Sequence, residues 1–178
     1  MIAATRRTVL AGALAVPTIG GLAQWRWRHG EDAILIHDPA LDAGRRFALA
    51  GTARGGEVLA IEGDRIRFAR RVADRRPALI AGVSRHADAL MIEDAVRESG
   101  YAPVAMLHGR ANACSAQDCR PGWSALGRMA ETAGGRWVEA LAEFATRPGG
   151  IGSGAISAGA GSVADRGLVI GWLLAPQS

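Results

Sequence analysis

Four short apolar runs in this chain each end in residues able to hold a ligand or take part in a reaction. Ala33-Ile34-Leu35-Ile36 runs out into His37 and Asp38, and Glu57-Val58-Leu59-Ala60-Ile61 into Glu62 and Asp64. Ala78 to Val83 ends at Ser84, Arg85 and His86, and Pro103 to Leu107 at His108 and Arg110. Three of the four histidines stand at these exits, more than a polar connection needs. If the runs are strands of one parallel sheet, their ends share one edge, where open α/β sheets bind ligands. His37, Asp38, Glu62, Asp64, Ser84, Arg85, His86 and His108 are therefore the candidate ligand-binding set. The competing reading is a row of polar turns with no special use, in which Asp38 simply caps a helix beginning at Pro39.

A catalytic version of this edge rests on Ser84, His37 and His108. Gly82-Val83-Ser84-Arg85-His86 lies between a strand and a helix, where a nucleophile elbow G-x-S-x-G belongs, but His86 replaces the last glycine. No later Asp and His pair follows in the order that chemistry uses, so serine catalysis is the weaker expectation. His37, Asp38, Glu62 and His108 are also metal-ligand types, yet they lack a local spacing such as H-E-x-x-H, and no metal is assigned. Cys114 and Cys119 are too far apart for a C-x-x-C redox motif; outside the cytoplasm they are expected to form a disulfide, with free thiols as the alternative. Gly150-Ile151-Gly152-Ser153-Gly154 has the wrong spacing and follows a helix, which excludes a dinucleotide loop, and the sequence names no cofactor.

The elements that must position these residues alternate. Helical patterns fill Asp38 to Gly51, Arg65 to Arg76 and Ala87 to Ser99, each between two apolar runs, with Pro77 and Gly100 as stops. About four βα units with short connections predict an α/β fold, a small doubly wound, mostly parallel sheet. After Arg110 the alternation stops. A turn or two of helix from Trp123 and a clearer one over 136–146 follow, and Leu168 to Leu174 reads as a last strand, placed at the sheet edge or in a C-terminal hairpin. The domain so defined covers 33–178.

The first residues address the chain. Met1 to Arg7 carries Arg6-Arg7 and no acid, Thr8 to Ala23 is an uncharged apolar run, and Gly21-Leu22-Ala23 offers small residues to a peptidase. Thr5-Arg6-Arg7-Thr8-Val9-Leu10 resembles the twin-arginine (Tat) signal, with Val9 where Phe is commonest and Ala11 where Lys is common. The resemblance covers residues 1–23 alone and implies export of the folded domain by the Tat translocase to the periplasm. The run is shorter than the ~20 apolar residues of a spanning helix, so an uncleaved inner-membrane tether is the second reading. Residues 24–32 form a linker in which Trp25-Arg26-Trp27-Arg28 suits contact with a membrane surface.

All 21 basic residues are arginines, and beyond residue 23 they number 19 against 17 acids. So near a balance does not argue for nucleic acid, which wants a concentrated basic face. The densest cluster, Arg65, Arg67, Arg70, Arg71, Arg75 and Arg76, reads as a solvated helix face or, failing that, an anion-binding patch. Without a complete catalytic set, the expectation is a binding or accessory module of an exported enzyme system. A small hydrolase or metal-dependent enzyme working at the strand ends is the alternative.

Overall fold

The computed structural model describes residues 30, 32–108, 119–147, 165 and 169–177. The segment expected to be an export signal, most of the expected linker, Arg110, Cys114 and the glycine-rich stretch before Asp165 lie outside these residues. Within them the order is β1 (Ala33–His37), α1 (Asp42–Ala53), β2 (Glu57–Ala60), α2 (Arg65–Asp74), β3 (Leu79–Arg85) and α3 (His86–Arg97). β4 (Tyr101–His108), α4 (Ser124–Ala133), α5 (Trp137–Thr146) and β5 (Val169–Pro176) follow.

The strands make one sheet in the order β2-β1-β3-β5-β4. β1 pairs in parallel with β2 and β3, while β5 runs antiparallel to both β3 and β4. The alternation of side chains along each strand divides the core in two. Leu35, Leu79, Ala81, Val83 and Leu173 face α1, α4 and α5 through Phe47, Leu126 and Leu141. Ile34, Ile36, Ile80, Ile170 and Trp172 face α2 and α3 through Phe68, Val72, Ile92 and Val96. Both faces are covered, which is why β1 and β3 read as nearly unbroken apolar runs.

The sheet is mixed, not the mostly parallel one expected, and the last strand is not at its edge. β5 lies between β3 and β4, with every residue from Val169 to Ala175 buried. A run without a polar residue is stable only where both faces are dry, and an edge position would leave part of it wet. Its Trp172 lies over Gly82 of β3 so closely that a Cβ there would stand 2.1 Å from the indole. β4 becomes an outer strand instead, where Pro103 is tolerated and the pairing slips between Pro103 and Ala105.

In α3 the buried stripe is Ala89, Ile92, Ala95 and Val96, leaving Leu90 and Met91 exposed, and in α2 Ile66 is exposed while Phe68, Ala69, Val72 and Ala73 are buried. α1 begins at Asp42, after a turn through Pro39 and Ala40, so Asp38 is not its cap.

Candidate functional site

From β1 the chain crosses to β2 by α1 on one face, then returns past β1 to β3 by α2 on the other. Lateral direction and face reverse together, as crossovers of a single hand require. The reversal falls between the carboxyl ends of β1 and β3, the place where open α/β sheets take ligands. β4 shares the direction of β3, because β5 is antiparallel to both. The ends of β1, β2, β3 and β4 therefore lie on one edge, with His37, Arg85 and His108 as the last residues of β1, β3 and β4.

At the switch point itself stand Asp38 and Arg85. Arg85 Nη1 lies 3.4 Å from Asp38 Oδ2. Asp38 is only 5% exposed, while the Arg85 side chain is 53% exposed, so a buried anion is matched by a cation open to solvent. The Asp38 backbone is fixed by donation from its N–H to the Val83 carbonyl at 3.0 Å, and Oδ1 accepts from the Ala40 N–H at 2.9 Å. Oδ2 makes no hydrogen bond. Gly44 of α1 presses against the Asp38 carbonyl, where a Cβ would come within 2.2 Å, so the turn after β1 tolerates no side chain there.

His37 adds a second unspent polar atom, since its Nδ1 is buried without a hydrogen bond. Burial holds its pKa below the ordinary 6.5, partly opposed by the charge of Asp38. The imidazole is thus kept neutral near pH 7.

The N-terminus of α1 is already matched to an anion. The Asp165 carboxylate accepts from the Asp42 N–H at 2.7 Å and from the Ala43 N–H at 2.9 Å, one oxygen to each. Those N–H groups have no partner within the helix, and the helix dipole favours negative charge there. No local pattern reveals this, because Asp165 lies 123 residues from Asp42.

The catalytic trio does not assemble. Ser84 follows Ile80 and Gly82 on the α2–α3 face, whereas His37 follows Leu35 on the opposite face. Ser84 is 0% exposed, donates to the Arg85 carbonyl at 3.0 Å and accepts from Trp172 Nε1 at 3.0 Å. Its hydroxyl is spent in the core. His108 pairs with Ile170 of β5, which pairs with Ser84, so His37 and His108 are three strand spacings apart, roughly 14 Å.

The remaining candidates are not part of the Asp38–Arg85 pair. Glu62 is exposed beyond β2, and Asp64 caps α2 by accepting from the Arg67 N–H at 2.8 Å. That bond first, with others from the same turn, holds the Asp64 carboxyl below its ordinary range. His86 is half-buried as the first residue of α3. Among the described residues no group of three or more His, Cys, Asp or Glu side chains is arranged to hold a metal ion.

A hollow of about 350 Å³ opens at the opposite, amino edge, around Asp32, Gly55, Gly56 and Arg75. Its cations are committed, Arg75 to Glu57 and Arg54 to Glu143. The fold is a three-layer α/β domain with a mixed sheet whose strand order reverses between β1 and β3. No protein-family model, curated protein or solved structure matches the chain.

Proposed function

We propose that this protein is an exported binding module, an accessory part of a periplasmic enzyme system, that takes a small polar ligand at the carboxyl ends of β1 and β3. The observation that carries this reading is the Asp38–Arg85 pair. A buried carboxylate with one oxygen lacking a hydrogen bond, beside a half-exposed guanidinium, leaves both donor and acceptor capacity at the switch point. Buried polar atoms are costly to leave without a hydrogen bond, and a ligand donor on Asp38 Oδ2 would supply the missing one. A ligand carrying an N–H or O–H donor for Asp38 and an anionic or carbonyl oxygen for Arg85 matches it. The alternative of a serine hydrolase is disfavoured because Ser84 is enclosed and committed to Trp172.

Export rests on Arg6 and Arg7 and the apolar run to Ala23, with the periplasm as destination and a membrane-surface contact through Trp25, Arg26, Trp27 and Arg28 if the signal stays attached. The Cys114–Cys119 disulfide belongs to the same proposal. Its support is that no free cysteine occurs among the described residues, and that Cys119 is buried and bridges to Ala105 of β4.

The test is native mass spectrometry of protein released from the periplasm. A small molecule bound to the wild type and lost from Arg85→Gln and Asp38→Asn supports the module. A bound molecule retained by both variants contradicts the site.

A further inference from the structure

The two outer strands of the sheet are treated differently by the chain. β4 carries Pro103 and a slip in its pairing, and part of it is covered. Ala105 bridges to Cys119, and the Arg120 N–H donates to the Val104 carbonyl at 2.9 Å. A proline, a bulge and a covering segment are devices that keep a strand edge from pairing with another chain. Among the described residues β2, the other outer strand, pairs only with β1 and has none of these guards. Its one charged residue, Glu57, is held by Arg75 of its own chain.

The open edge matches itself. The Ile61 N–H donates to the His37 carbonyl, so the parallel ladder turns the N–H and C=O groups of Val58 and Ala60 outward. If two β2 strands pair antiparallel, Val58 of each copy stands opposite Ala60 of the other, and each such pair exchanges two hydrogen bonds. Every outward group is then used, and a two-fold axis passes between the two Leu59 residues. These form the kind of pair in which side chains come closest, while Glu57 stands opposite Ile61. No charged residue of the strands meets a like charge across the axis.

Leu59 is half-buried on the face covered by α2. It lines an apolar groove of about 490 Å³ with Phe68, Arg71, Val72, Asp74 and Arg75. A two-fold axis perpendicular to the sheet keeps that face on the same side in both copies, so the two grooves join at the Leu59 pair. Charges at the groove balance, Arg71 and Arg75 against Asp74 and Glu57, and Arg67 beyond them lies beside Asp64. Such a rim selects neither an acidic nor a basic segment and is compatible with a copy of itself.

We propose that the β2 edge pairs with the β2 edge of a second copy, joining two five-stranded sheets into one across a two-fold axis at Leu59. An unrelated strand would have to bring a matching pattern of its own, whereas a second copy carries it by symmetry. The dimer goes beyond the ligand reading and leaves Asp38 and Arg85 untouched.

The test is sedimentation equilibrium of the mature chain, residues 24–178, together with amide exchange and cysteine trapping. Expected are a dimer and protection of the Val58 and Ala60 amides that rises with protein concentration. Leu59→Arg, which sets two cations opposite each other on the axis, should weaken the dimer by about tenfold or more. Ala60→Pro, which removes an outward N–H without touching the β1 ladder, should do the same. Leu59→Cys should cross-link through residue 59 on oxidation, because its Cα atoms would lie about 4.5 Å apart. Val58→Cys should not, because its Cα atoms would be roughly 8 Å apart. The two cysteine variants decide the matter even if Leu59→Arg or Ala60→Pro fails to fold. A monomer up to about 1 mM, the weak end of the affinity scale, overturns the proposal. So does a dimer that ignores Leu59→Arg and Ala60→Pro, or equal cross-linking of the two cysteine variants. A monomer with Val58 and Ala60 amides protected at every concentration makes the chain's own segment the occupant, and a monomer that gains that protection only on anionic vesicles makes it a membrane; either result also overturns the dimer. None of these outcomes bears on ligand loss in Arg85→Gln, so the two readings fail separately.

Discussion

The indole N–H of Trp172 donates to Oγ of Ser84 at 3.0 Å, with Gly82 leaving the space in which the ring lies. One residue of β5 thus explains two residues of the Gly82-Val83-Ser84 stretch, the glycine as room and the serine as an acceptor for a buried donor. Ser84→Ala should leave the indole N–H unsatisfied and cost about 1–3 kcal/mol in urea unfolding. Gly82→Ala should cost about as much or more through overpacking. A Ser84→Ala protein of wild-type stability would show that the pair contributes nothing.

Asp165 fastens a distant segment to α1. Removing its carboxylate with Asp165→Ala should cost about 0.5–2 kcal/mol, the usual range for a helix cap, and Asp165→Asn should recover part of it. Amide exchange at Asp42 and Ala43 should quicken in the alanine variant. Unchanged exchange there would show that solvent serves the N-terminus of α1 equally well.

Stability should fall as pH drops below 6.5, and His37 should be a cause. Its pKa is lowered in the fold, so the unfolded chain binds the proton more readily. The sign follows: this contribution is fully present above 6.5 and is lost progressively as pH falls toward the folded value. Glu57 and Asp64, lowered from 4.5 and 3.8, also lose stability on acidification, but only in windows below those values. Denaturant midpoints measured against pH should show a shallower decline just below 6.5 in His37→Gln. An unchanged slope would assign the decline to other groups.

Export should depend on both arginines of the signal. Residues 1–30 fused to a reporter that works only when exported folded should give activity that Arg6→Lys with Arg7→Lys abolishes. Export that ignores this change would make the route the general secretory one.

How much of this was legible in the sequence depends on how local the cause is. β1 to β4 and the helices between them could be read from apolar runs and stops, because burial on both faces and Pro77 or Gly100 act within a few residues. The position of β5 could not, since strand order is decided by partners such as Gly82 for Trp172, 90 positions away in the chain. An interior place was nonetheless hinted at by a run with nothing polar in it. The site was half legible. The shared edge of His37, Arg85 and His108 follows from parallel strands, but the opposite faces of His37 and Ser84 follow from strand parity, and the capping role of Asp165 from a contact across 123 residues.

The central claim is that ligand meets protein at Asp38 and Arg85. It is tested most directly by amide NMR of the mature chain titrated with small fragments that carry both an N–H or O–H donor and a carboxylate. The predicted result is shifts concentrated at His37, Asp38, Ala40, Arg85 and His86, absent in Arg85→Gln. That variant leaves the buried Asp38 carboxylate without its cation, so urea unfolding of Arg85→Gln accompanies the titration to show that it is folded. Shifts centred instead on Gly55, Gly56 and Arg75 at the amino edge, or unchanged in Arg85→Gln, would contradict it.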